Sequence, residues 1–237
     1  MTKDDICVIM LFVKSCPYRE NAISGVKNRS FSRIDSLAPM LARDPDGKES
    51  SMNQNLLIVG AGVYALVAKE IAESMGCFGE IAFADDNAKT TPNGIAVIGK
   101  STELEALSEV YGYMTVAIGN PEVRLRLLER IAQLPDCRVA TLISPRAYVS
   151  PSAMIAAGSI IEPMAVLNTG CVLERGCIVS AGAAVNHCAW LGEGVHIDCN
   201  ATVAGNVAVP AKTKVCSGEV FCGERVDATE LFSAERS

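Results

Sequence analysis

Only two histidines occur in the 237 residues, His187 and His196, nine positions apart in a stretch almost free of other titratable groups. A neutral imidazole, with a pKa near about 6.5, suits the removal of a proton from an amine or hydroxyl as that group attacks a carbonyl. The chemistry this points to is acyl transfer from a thioester by direct attack, with backbone N–H groups near Gly205 placed to hold the oxyanion. Ten cysteines offer a second route through an acyl-thiol, and Cys188, next to His187, is the candidate for it. No two of them form a Cys-x-x-Cys pair, so with two histidines a metal site is not expected. Gly60-Ala61-Gly62 follows a short apolar run. Taken alone it suggests a nicotinamide-dependent oxidoreductase, but the third glycine of that fingerprint is absent.

Whatever carries these residues is built from small aliphatic side chains: 49% of the chain is apolar, 5% aromatic and 20% charged. A formal charge of −6 argues against nucleic acid as a partner. The longest apolar run, Ile6 to Val13, is too short to span a bilayer and lacks the flanks of a secretory signal. A cytoplasmic protein without a membrane partner is expected. Three segments follow from composition. Residues 1–51 are polar and aperiodic and read as a poorly ordered extension. Residues 52–145 alternate strand and helix patterns, as a parallel sheet with crossover helices does. The expected strands are Asn55–Val59, Ile81–Ala84, Ile95–Ile98 and Thr115–Ile118. One expected helix carries Leu66, Val67, Ile71 and Met75 on one side, and another runs from Pro121 to about Gln133. Residues 227–237 read as a polar tail.

Residues 146–226 change style. Every sixth residue from Val149 to Phe221 is apolar, thirteen in succession. At this composition one preset register does so by chance roughly once in ten thousand trials. Small residues recur four places on, among them Ala153, Ser159, Cys171 and Ala183. Glycine recurs three places on, among them Gly158, Gly170, Gly176, Gly182 and Gly194. A hexad of one inward aliphatic, one small residue and one turn-tolerant residue suits a short strand and a corner. Three hexads close a triangular coil, with coils stacked about 4.8 Å apart. The pattern resembles the hexapeptide-repeat acyltransferases, whose coils wind into a left-handed parallel β-helix. With one coil every three hexads, His187 stacks between Thr169 and Gly205, and His196 between Ile178 and Lys214. A glycine above His187 leaves open space beside the ring. The histidines lie half a coil apart, so a site using both needs a neighbouring subunit.

The resemblance extends over Asn55 to Val226. The blocks LLIVGAG (56–62), FADDN (83–87), AIGNPEVRLRLL (117–128), LISPRAYVSPSA (142–153) and NHCAWLGEGVHI (186–197) are similar, in the same order, to those of bacterial sugar O- and N-acetyltransferases of the sialic-acid O-acetyltransferase and UDP-amino-sugar N-acetyltransferase type. That resemblance implies an α/β N-terminal Rossmann-like domain followed by a left-handed parallel β-helix of hexapeptide repeats, assembled as a homotrimer. It also implies acetyl-CoA as co-substrate and a nucleotide-activated or sialic-acid-like sugar as acceptor. On it, His187 is the general base, while His196, Gly205 and Ser217 contact CoA. Gly60 and Gly62 approach the sugar phosphates, and Asp85 and Asp86 lie near the nucleotide. The chain departs from the family at Val63-Tyr64-Ala65, where Gly-His-Gly is usual. It also departs at Cys188, where an acidic residue is usual, and at Ser180, where asparagine is. It stops about one coil short. These departures supply the alternative expectation of a non-catalytic trimeric scaffold.

Overall fold

The computed structural model describes residues 53–225; the expected extension 1–51 and tail 227–237 lie outside the described residues. β1 (Leu56–Val59) is buried along its whole length, because helices cover both faces of a parallel sheet. β2 (Ile81–Ala84), β3 (Val97–Gly99), β4 (Tyr113–Val116) and β5 (Arg138–Val139) join it in the order β3-β2-β1-β4-β5, every pair parallel. α1 (Val63–Met75) buries Ala65, Ala68, Ile71, Ala72 and Met75, leaving Leu66 and Val67 only partly covered. Its inner face is therefore mostly alanine, which lets it pack close. Gly76, in the left-handed region, closes it. β4 starts two residues before the expected strand, and Ala117–Asn120 form the loop after it. β3 starts two residues late because Ile95 is held in a turn by the Thr91 hydroxyl, which accepts its N–H. A turn over Ser101–Glu103 leads into α2 (Leu104–Ser108), which the sequence pattern did not suggest. α3 (Pro121–Ala132) begins as its residues dictate, with proline in the first turn and the Asn120 side chain accepting the N–H groups of Glu122 and Val123.

Fourteen two-residue strands, β6 (Leu142–Ile143) to β19 (Val220–Phe221), follow. Each from β6 to β16 pairs in parallel with the strand three further on, so that Val166 faces Ala184 and Ile178 faces His196, the expected coil length. The result is a three-sided prism whose faces hold five, four and five strands. Its first strand, Leu142–Ile143, pairs with Ile160–Ile161 and lies ahead of the boundary at 146 read from composition. Ile143 is one hexad step before Val149, so the rhythm already runs through it. The inward aliphatics and the small residues between them form one continuous core from Ala153 to Val215.

Corner residues three places after each inward aliphatic from Ile155 to Val215 adopt positive φ: Gly158, Gly170, Gly176, Gly182, Gly194 and Gly218, together with Met164, Cys188, Asn200, Asn206 and Lys212. Along one corner the glycines serve a second purpose. A Cβ at Gly158 or Gly176 would stand 2.7 or 2.8 Å from a Leu128 methyl, and one at Gly194 3.0 Å from a Leu125 methyl. α3 therefore lies along the stacking axis with its leucines pressed into that glycine column. One coil further, Lys212 pairs with Glu122. The same seam encloses Arg124 completely. Its guanidinium donates to the carbonyls of Ile118, Gly119, Gly176 and Gly194 at 2.7–2.9 Å. It thus ties the loop after β4 to two successive coils.

Candidate active site

His187 sits on the corner after the strand Ala184–Val185, with its side chain exposed. The coil ladder fixes its backbone: its carbonyl accepts the N–H of Asn206 at 3.0 Å, and the next N–H, of Cys188, donates to Thr169 at 2.9 Å. Beside it the Asn168 amide donates to Asn186 at 3.2 Å, and the Asn186 amide to the Val203 carbonyl at 3.1 Å. The ring lies against Gly205 as the coil arithmetic required. A Cβ there would be 2.7 Å from both Cε1 and Nε2. Among the described residues nothing accepts the Gly205 N–H. The corner thus presents an exposed imidazole and a free backbone donor side by side.

Gly205 does not occupy the left-handed region, so alanine fits its backbone. Gly205→Ala is therefore expected to leave the melting temperature nearly unchanged while driving the ring from its seat. Turnover should fall by about ten- to a hundredfold. Paired melting and steady-state measurements check this; equal turnover would mean that the ring's seat is unimportant.

Cys188 corrects one expectation. It is only 5% exposed, and burial pushes its thiol up. A covered, protonated thiol is poorly suited to carry an acyl group.

His196 stands on the third face, in the strand His196–Ile197, away from the His187 corner. Its Nε2 is 3.1 Å from the Ser180 hydroxyl and 4.0 Å from an Asp198 oxygen, and Asp198 pairs with Lys214 at 2.9 Å. Burial above all pulls its pKa down to about 4, with Lys214 and Arg124 acting in the same sense and Asp198 against. His196 is therefore neutral at neutral pH. In the unfolded chain it takes a proton near about 6.5, in the folded chain near about 4, so the unfolded state binds more protons between these values. Its contribution to stability is complete above about pH 6.5 and is lost as pH falls toward 4. The expected loss is about 3 kcal/mol. Denaturant titrations at intervals across that window, on the natural chain and His196→Gln, should show a much smaller slope in the variant, with the remainder near pH 4 set by carboxylates such as Asp85 and Asp198.

Ser217 is exposed in the turn after Lys214–Val215, on the His196 side of the prism and apart from Gly205. At the other end of the seam, Gly60 has φ 114° and its missing Cβ would be 2.9 Å from the Ala117 carbonyl oxygen. Its role in the fold is close passage between the ends of β1 and β4. Gly62 caps α1 and is exposed, with nothing within 4 Å of a Cβ and no acidic residue in the helix's first turn. That leaves an open, electropositive helix end. The Asp85 carboxylate accepts the N–H groups of Ala61, Asn87 and Ala88, each at 2.9 Å. Burial opposes its charge, but these three donors outweigh it and hold the group below its usual range. Asp86 accepts the N–H and hydroxyl of Ser101 at 2.7 and 2.8 Å. The acidic pair thus shapes the loop and anchors the turn before α2. Reading single residues missed Arg124, although its spacing to Leu128 and Ile131 places it on the apolar stripe of α3.

An α/β domain seated on a solenoid of stacked hexads is the architecture of the hexapeptide-repeat acyltransferases. Residues 55–131 match the PglD N-terminal domain family. The acetyltransferase domain of PglB from Neisseria gonorrhoeae FA1090, solved in complex with acetyl coenzyme A, is 37% identical with a TM-score of 0.67; the match covers 71% of this chain and 82% of that one. PerB from Caulobacter crescentus, in complex with CoA and GDP-perosamine, is 26% identical with a TM-score of 0.55, over 73% of this chain and 91% of that one. A histidine-to-asparagine variant of perosamine N-acetyltransferase from the same organism, also with CoA and GDP-perosamine, is 25% identical with a TM-score of 0.62, over 72% and 90%. No curated protein matches the chain. The chain belongs to the bacterial sugar N-acetyltransferases of the hexapeptide-repeat family, and its solenoid is a left-handed parallel β-helix. Among the described residues no helix is long and apolar enough to cross a membrane.

Proposed function

We propose that this protein transfers the acetyl group of acetyl-CoA to the amino group of a nucleotide-activated amino sugar, with His187 as general base. The observation that carries the reading is the exposed His187 ring seated against Gly205, whose N–H is free among the described residues. The corner fits a thioester donor: a glycine whose Cβ would collide with the ring, and one exposed imidazole beside it. Acetyl-CoA brings an acyl carbon activated toward nucleophiles. His187 takes the proton that the attacking amine sheds as the C–N bond forms, and yields it to the thiolate as the C–S bond breaks. The Gly205 N–H steadies the negative charge that builds on the carbonyl oxygen. The acceptor's phosphates suit the open N-terminus of α1 at Gly62, with Asp85 holding the Ala61 N–H in place. The GDP-perosamine complexes of the two similar enzymes support a nucleotide sugar.

Assembly as a homotrimer completes the site in this reading. The face carrying Tyr148, Val166, Ala184, Thr202 and Val220 has no charged residue, and its ends, Tyr148 and Val220, are 57% and 65% exposed. It adjoins the His187 corner, so a second copy packed there brings its own third face, with His196 and Ser217, toward His187 of the first. Incubation of the full chain with acetyl-CoA and a panel of UDP- and GDP-linked amino sugars tests the function. An acetamido product identified by mass spectrometry is expected from at least one acceptor. A trimer with no product and no acetyl-CoA affinity at millimolar concentration would instead establish the scaffold.

A further inference from the structure

Tyr64, the second residue of α1, occupies the place where the family usually has histidine, and neither the acetyl transfer nor the coil arithmetic uses it. Its ring packs against the core that includes Leu142 and Ile160, where the α/β domain meets the third face of the solenoid. The hydroxyl is fully enclosed, yet it has no hydrogen-bond partner of good geometry. Native proteins keep few such groups. The strand Ile160–Ile161 delivers Glu162 to the same place, 7% exposed, with one carboxylate oxygen accepting the Ala181 N–H at 3.0 Å. Ala181 follows Ser180, whose hydroxyl meets His196. The Arg124 guanidinium acts on the phenol's charge in the opposite sense to Glu162. Burial first, and the Glu162 carboxylate next, keep the phenol protonated and therefore a donor.

Resting on the acceptor reading above, we infer that Tyr64 is a positioning residue: its hydroxyl, set against Glu162 across the seam, fixes the angle at which the first turn of α1 and the loop Gly60–Gly62 face the solenoid. One turn of helix separates nothing from that loop, since Gly62 caps α1 and Tyr64 is two residues on. Holding the helix end at that angle keeps the N–H groups of the loop aimed at the acceptor's phosphates. It contributes to acceptor affinity without touching the acceptor. The donor corner at His187 and Gly205 lies on a different edge of the prism and does not depend on it.

Tyr64→Phe keeps the ring and removes only the hydroxyl. UDP and GDP binding to the full chain is measured by calorimetry, and kcat and both KM values are measured with the accepted sugar nucleotide. The expected result is an acceptor KM and a nucleotide Kd weakened about fivefold. The KM for acetyl-CoA should stay within about twofold and the melting temperature should not change. Glu162→Gln should give the same shift, and the double variant no more than either alone. Unchanged nucleotide affinity in Tyr64→Phe, or an equal rise in both KM values, overturns the positioning role and leaves the proposed function standing. If the natural chain binds neither nucleotide, the acceptor reading falls and takes this inference with it.

Discussion

Arg124→Ala is expected to lower the melting temperature by about 10–15 °C, more than any other single substitution discussed above. The side chain is 0% exposed and donates to the carbonyls of Ile118, Gly119, Gly176 and Gly194. Truncation leaves those oxygens without a donor inside a seam packed by Leu125 and Leu128. Each buried group left unsatisfied costs about 1–3 kcal/mol, but the losses are not additive once water enters the gap, so the sum should be about 4–5 kcal/mol. For a chain of this length each kcal/mol moves the midpoint by about 2–4 °C. Arg124→Lys should recover less than half of the loss, because one ammonium cannot reach both coils and the β4 loop as a planar fork does. Arg124→Met, which keeps length and removes the charge, separates packing from hydrogen bonding. A shift below about 3 °C in thermal melts of Arg124→Ala would show that the two domains do not rely on this contact.

His187→Ala is expected to lower kcat by about 10²–10⁴-fold with the KM for acetyl-CoA within about twofold. The argument rests on exposure and support together. The imidazole reaches solvent, its backbone is held by coils on both sides, and truncation deletes no buried contact except the one against Gly205. Stability should therefore be spared, which separates loss of a base from loss of the fold. A variant that turns over normally would transfer the role to another group. The nearby candidate, Cys188, is too deeply covered to assume it.

The solenoid could be read from residues because its rule is local and exact in period. An inward aliphatic every sixth residue leaves one way to close the coil, and from coil length alone Gly205 falls over His187 and Lys214 over His196. The contacts that cross between domains were not legible in that way. Arg124 sits on a leucine-rich helix stripe, and only the carbonyls of Gly176 and Gly194, far along the chain, explain why a charge belongs there. Asp85 and Asp86, which the resemblance places near a nucleotide, also hold the loop together through backbone N–H groups and Ser101, partners that a linear pattern does not reveal. α2 was missed because five helical residues carry too little periodicity to register. On α1 the expected Ile71 and Met75 are buried, while three alanines share that face and Leu66 and Val67 pack against it only partly covered, because alanine carries no apolar bulk to mark the close-packed side.

The most direct measurement is CoA thiol release by the natural chain and by His187→Ala, with acetyl-CoA and an accepted sugar nucleotide, in the absence and presence of free imidazole. Acceptor-dependent release by the natural chain, near silence in the variant, and a saturable return of activity as imidazole fills the space beside Gly205 are the predicted results. Release by His187→Ala at the natural rate without imidazole would contradict the assignment of this ring as the base.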